Sequence, residues 1–272
     1  AGFEAAMESQ RTRARASWAG SGEVAVAGVY PALLSDFPET AFTGYGHTES
    51  GAKILAILKG SEKVDSVAVG DEAEILLDTT HLYAASGGQV GDTGEIKSEK
   101  GLFIVRDTIK PFKKYIIHKG EVIEGALAVG EGVTATVDVA RRERIARNHT
   151  ATHLLQAALR KALGDHVKQA GSLVDADRLR FDFTHFSPVS NQELQLIEEL
   201  VNTEIRRNST VSSREMAADA AIEAGAMALF GEKYGDLVRV VEVGDFSMEL
   251  GGGTHVKAAG DSGLFRTATP GG

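Results

Sequence analysis

Between residues 23 and 140 the sequence repeats one device, a short run of aliphatic and β-branched residues closed by glycine or aspartate. EVAVAGVY, AKILAILKG, EAEILLDTT, GLFIVRDTI, YIIHKGEVI and GVTATVDV all follow it. Their spacing predicts a small β-barrel or meander. The pattern changes at 141, where RRERIARNHTATHLLQAALRKALG carries apolar residues at 145, 154, 155, 158, 159 and 163. That is helical spacing, and Gly164 is placed to cap its end.

Beyond this helix, SLVDADRLRFDFTHF reads as two strands joined by a turn at Asp175–Asp177. SNQELQLIEELVNTEIRRN reads as a helix, with Ser190 and Glu193 forming a capping box. EAGAMALF predicts a short helix, and DLVRVVEVG with DFSMEL a hairpin that runs into the turn GGGTH. Strands and helices mix here without regular alternation, so the fold class is α+β. Residues 2–18 read as an amphipathic helix bearing Arg11, Arg13 and Arg15, ended by AGSG at 19–22. The expected organisation is a linker helix at 1–22, a β-barrel domain at 23–140 and an α+β core at 141–272.

At 272 residues with 43% hydrophobic and 25% charged content, the chain can bury one large core or two modest ones. No apolar run approaches the ~20 residues that span a bilayer. The first residues hold no apolar signal-peptide segment, so the expected location is cytoplasmic, with no membrane partner. The absence of cysteine removes disulfides and thiolate metal ligands. Net charge is −9, but residues 141–214 carry 12 basic against 9 acidic side chains. An RNA partner would have to dock on that local basic surface, where Arg141, Arg142, Arg144 and Arg147 are densest. A solvated helix face is the plainer reading of the same arginines.

His149 and His153 stand four apart on the helix, and therefore on one face. The zinc-protease pattern H-E-x-x-H is not met, because position 150 is Thr150 and no general base is built in. His255, delivered by Gly251-Gly252-Gly253, would make three quarters of a tetrahedral site. Pairs at this spacing also arise by chance, and glycines also serve plain turns. The histidines alone do not decide between these readings.

RNHTATHLLQAALRKALGDHVKQAGSLVDADRLRFDFTHF, GDFSMELGGGTHV and GDSGLFR together closely resemble the editing domain of bacterial alanyl-tRNA synthetases. LLDTTHLYAASGGQVGDTGEI resembles the β-barrel segment that precedes that domain, and the leader helix resembles the family's linker. The resemblance implies a hydrolase that removes serine or glycine wrongly attached to the tRNA for alanine. It implies zinc held by His149, His153 and His255, with a cysteine expected where Gly251 stands. The barrel motif, expected as T-P-F-Y-A-E-S-G-G-Q, departs at His81, Leu82 and Ala85.

These departures allow a decayed gene or a remodelled pocket with an open three-histidine site. His81 is then a candidate fourth ligand or base, against a plainer reading as a surface histidine at a strand end. Thr80 and Gln89 are expected to orient the substrate, and the amides of Gly252 and Gly253 to stabilise an oxyanion. Arg141, Arg142 and Arg147 are candidates for acceptor-stem phosphates. Competing readings are an inactive tRNA-binding module and a metallohydrolase acting on a small ester or phosphoester. After GLFR the chain lacks the strand with paired arginines that follows in the family, so the open sheet edge suggests a homo-oligomer.

Overall fold

The computed structural model describes residues 30, 36–112, 115–227 and 235–268. The expected leader helix lies outside them, as does most of the run EVAVAGVY, whose last residue, Tyr30, is helical.

Ten strands occupy residues 41–137: β1 (Ala41–Phe42), β2 (Glu49–Lys59), β3 (Glu62–Val64), β4 (Ser66–Ala68), β5 (Glu72–Leu77), β6 (Thr79–Thr80), β7 (Gly94–Lys97), β8 (Gly101–Phe112), β9 (Tyr115–Ala128) and β10 (Gly132–Val137). Six of them close an antiparallel ring in the order β10-β7-β8-β9-β5-β2, with β2 pairing back to β10. Closure leaves these six strands without a free edge. Strands β3 and β4 are appended to β2 and β9, and β1 pairs in parallel with β6.

The barrel forms because alternate residues are apolar. In β10, Val133, Ala135 and Val137 point inward while Gly132 and Thr134 are exposed. Ile54, Ile75, Leu77, Ile96 and Phe103 meet these in one fully buried cluster. Each such side chain contributes about 1.5–3 kcal/mol on burial. The sequence pattern did not mark β7, because Gly94, Glu95, Ile96 and Lys97 include a single core residue.

The remainder is α+β: α1 (Val139–Leu163), the hairpin β11 (Gln169–Val174) and β12 (Leu179–Phe183), α2 (Asn191–Arg207), β13 (Val211–Ala217), α3 (Ala218–Glu223), β14 (Leu237–Val243), β15 (Ser247–Leu250) and a 3₁₀ turn (Ala259–Ser262). Asp138 caps α1 by accepting from Arg141 N, and the Ser190–Glu193 capping box opens α2. Strands β13, β14 and β15 form an antiparallel sheet. A second hydrophobic cluster joins Leu154, Ala158 and Leu159 of α1 to Ile197, Val201 and Ile205 of α2, with Val243 and Phe265.

A short helix occupies 218–223 and ends at Glu223, the first residue of EAGAMALF (223–230), where the sequence predicts one; residues 228–230 lie outside the described residues. Gly225, at φ +92°, takes the left-handed turn that ends it, and Met227 instead bridges to Glu249. Among the described residues, no helix is long and apolar enough to cross a membrane.

Candidate metal centre

Every residue of α1 from His149 to Gln156 is buried, so this part of the helix is enclosed rather than amphipathic. One side packs into the second hydrophobic cluster; His149 and His153 face another side, towards the turn after β15. Their rings stack with centroids 5.3 Å apart and planes inclined by 6°. His255 comes in from the turn, its ring 4.5 Å from that of His149 and 5.0 Å from that of His153. One donor nitrogen from each of the three lies within 4.8 Å of the others.

The neighbours fix which nitrogens face the cluster. Gln89 Oε1 accepts from the Thr254 amide at 2.9 Å, so the atom beside His149 Nδ1, at 2.6 Å, is an oxygen. His149 Nδ1 must therefore donate, leaving Nε2 a lone pair. His153 Nδ1 donates to Glu249 at 2.6 Å, and its Nε2 is buried without any hydrogen-bond partner. A buried, unpartnered imidazole lone pair costs free energy unless something accepts it. His255 makes only longer contacts, 3.3 Å to Thr150 Oγ1 and 3.3 Å to Gly252 O. Burial and mutual repulsion hold His149 and His255 well below the usual imidazole pKa, so both are neutral, as ligands must be.

The three imidazoles, two of them with an acceptor fixing their Nδ1 atoms, could together hold a metal ion. At Gly251, a Cβ would stand 3.4 Å from His153 Cε1 and 3.7 Å from its Nε2, ordinary contact distances. A side chain at that position would therefore point at the cluster, and here none is present. Gly253 is different: φ is +85° and a Cβ would fall 2.1 Å from His149 Cε1, so this turn admits only glycine.

The other expected site residues fall in several places. Gln89 is at the centre, bridging His149 and Thr254. Gly252 is exposed and Gly253 is buried, with its amide turned to the Tyr83 hydroxyl. Thr80 is not at the centre: it is fully buried in the barrel, where its hydroxyl pairs with His118 Nε2 at 2.8 Å. His81 is neither a surface histidine nor a member of the metal cluster, because it is buried and paired with Thr43 Oγ1 at 2.6 Å.

Arg142 is not on a solvated face. Its guanidinium is buried on Asp92 and also donates to the carbonyls of Gly44 and His81. Arg141 donates to the Gly91 carbonyl, whereas Arg147 is exposed beside Glu143.

Glu249 escaped the sequence reading. The alternation of DFSMEL sets it on the same inward face as Ser247, and an inward acid beside a glycine turn was the available signal. Two cavities flank the histidines. One of about 240 Å³ is lined by His149, His153, Thr152, Ser172, Gly251 and Gly252. One of about 680 Å³ opens onto His255 between the 44–48 loop, α1 and the sheet.

Residues 1–141 match the family profile of tRNA synthetases class II (A). Residues 238–267, which include the glycine turn and His255, match that of the threonyl and alanyl tRNA synthetase second additional domain. Over all 272 residues the chain is 50% identical to an alanine–tRNA ligase of Methylococcus capsulatus, and it spans 31% of that protein's length.

Proposed function

The chain belongs to the alanyl-tRNA synthetase family, matching the part of it that carries the editing domain, and from that premise we propose a zinc-dependent ester hydrolase that clears serine or glycine from the tRNA for alanine. The observation that carries the reading is the pair of committed Nδ1 atoms. Gln89 and Glu249 take them, so the Nε2 atoms of His149 and His153 converge with His255. We read 23–140 as the barrel domain and 141–272 as the metal-carrying core, supported by separate hydrophobic clusters within 54–137 and 151–265.

A bound zinc supplies Lewis acidity, polarising the ester carbonyl and making water a stronger nucleophile. The protein's residues do the rest. Gln89 and Glu249 hold two imidazoles in the ligating tautomer. Gly252, exposed in the turn, offers its amide as a donor to a developing oxyanion. Arg147, on the rim of the larger cavity, is the member of the arginine cluster best placed for tRNA phosphate.

The test is zinc content of the purified chain together with hydrolysis of seryl-tRNA for alanine. About one zinc per chain is expected, and His153→Ala abolishes both metal and hydrolysis. Glu249→Gln lowers zinc affinity by about 10- to 100-fold. Undiminished hydrolysis by metal-free His153→Ala overturns the proposal.

Gly251 favours a second reading. Without a side chain there, nothing from position 251 fills the space beside His153, and a metal held by the three histidines would be left accessible from the 240 Å³ cavity, whose size suits a small ester or phosphoester. Metal-dependent turnover of activated small esters without tRNA supports this reading, and its absence removes it.

A further inference from the structure

Arg239, on β14, is the only described residue that lines both cavities beside the histidines. Its guanidinium is half-buried, donating to Gly253 O at 2.9 Å and to Ser213 Oγ at 2.8 Å. Its centre lies 3.8 Å from the ring centroid of Tyr45, whose side is half exposed to the larger cavity. Among the described residues no carboxylate lies within 4.0 Å of it. Glu215, opposite it on β13, contributes only a longer-range field.

A guanidinium carries five N–H donors and is always charged. This one is partly desolvated and has only neutral acceptors, so an anion arriving in the cavity completes it. Lys257, exposed just past the glycine turn, lines the same cavity, with no side-chain partner among the described residues. Two acids also line it, but both are engaged: Glu143 sits 3.7 Å from Arg147, and Asp261 accepts from the Ala258 amide. A cation beside a half-exposed aromatic ring is the pairing that receives a phosphate and its base together.

We propose that Arg239, with Lys257 across the cavity, is an anion subsite that seats the 5′-phosphate of the nucleotide carrying the ester. Tyr45 lies beside the base, and the acyl group turns into the smaller cavity towards His149 and His153. Recognition of the nucleotide in the substrate already proposed thus falls to Arg239 and Lys257, apart from the histidines that face the ester. The proposal deepens the hydrolase reading and rests on it for the ester.

Its test is a binding measurement that needs no turnover. Calorimetric titration at low salt compares adenosine 5′-monophosphate with adenosine. The monophosphate is expected to bind about tenfold or more tightly, the size of one charge-assisted contact. That preference collapses in Arg239→Gln and survives in part in Arg239→Lys. Equal affinity for the two probes overturns the proposal, as does a preference that persists in Arg239→Gln. If Arg239→Gln does not fold, Lys257→Ala carries the test. A roughly threefold loss of monophosphate affinity with adenosine unchanged supports it, and no loss overturns it. Seryl-tRNA hydrolysis is assayed in parallel. A chain that shows the Arg239-dependent preference but cleaves no ester keeps the subsite and loses the hydrolase reading; one that cleaves the ester without the preference does the reverse.

Discussion

Single atoms separate the two glycines of the turn. A Cβ fits at Gly251 and is excluded at Gly253. Gly251→Cys should therefore fold normally and bind zinc more tightly, because a thiolate completes the sphere. Gly253→Ala should be destabilised by about 1–3 kcal/mol through backbone strain alone and should lose metal as His149 is displaced. Metal titration and thermal melting of the two variants check the contrast. Thr80 makes a complementary case. Its hydroxyl satisfies His118 inside the barrel, so Thr80→Val should cost about 1–3 kcal/mol of stability. Hydrolysis at saturating substrate should stay unchanged, and a fall in kcat without loss of stability would return Thr80 to the catalytic group.

The element-scale design joins the barrel to α1. The loop between β6 and β7 supplies Gln89 to His149, and Asp92 to both Arg142 and the Tyr83 amide. Arg142 leaves the first turn of α1 to enter this loop, where its charge is neutralised in place and is not offered to RNA. Removing one partner of a buried pair leaves the other charge uncompensated, at about 3–5 kcal/mol. Asp92→Asn should lose that much in urea unfolding, and zinc affinity should fall with it as the loop releases Gln89. Arg147→Gln, on the exposed side of the same helix, should leave stability within about 0.5 kcal/mol.

At the scale of the whole molecule, stability should depend on pH through the barrel interior. Burial lowers the His118 pKa to about 4, so the folded chain keeps it neutral where the unfolded chain, at 6.5, takes a proton. The unfolded state then binds more protons, and stability falls as pH drops from about 6.5 to about 4, by roughly 3 kcal/mol. Denaturant midpoints across that range check the slope. His118→Gln should reduce it by the His118 share, leaving the part that His149 and His255, also held neutral in the folded chain, contribute. Much of this molecule was legible in its residues. Alternation at Val133, Ala135 and Val137 marked the barrel, the helical spacing around His149 and His153 marked α1, and Ser190 with Glu193 marked the start of α2. These are local patterns, set by the two-residue period of a strand and the 3.6-residue period of a helix. The sequence by itself determined the α+β class and most of the elements, though not β7 or the place of the short helix at 218–223, and it named the three histidines as candidates to meet. Only the tertiary structure decided their neighbours: that Glu249 and Gln89 hold the imidazoles, that Thr80 pairs with His118 in the barrel and His81 with Thr43 beside Arg142, that Arg142 is a buried brace, and that Arg239 lies between the two cavities. Which side chain meets which across sixty or a hundred residues follows from how the barrel and the helix pack, and no local period records it.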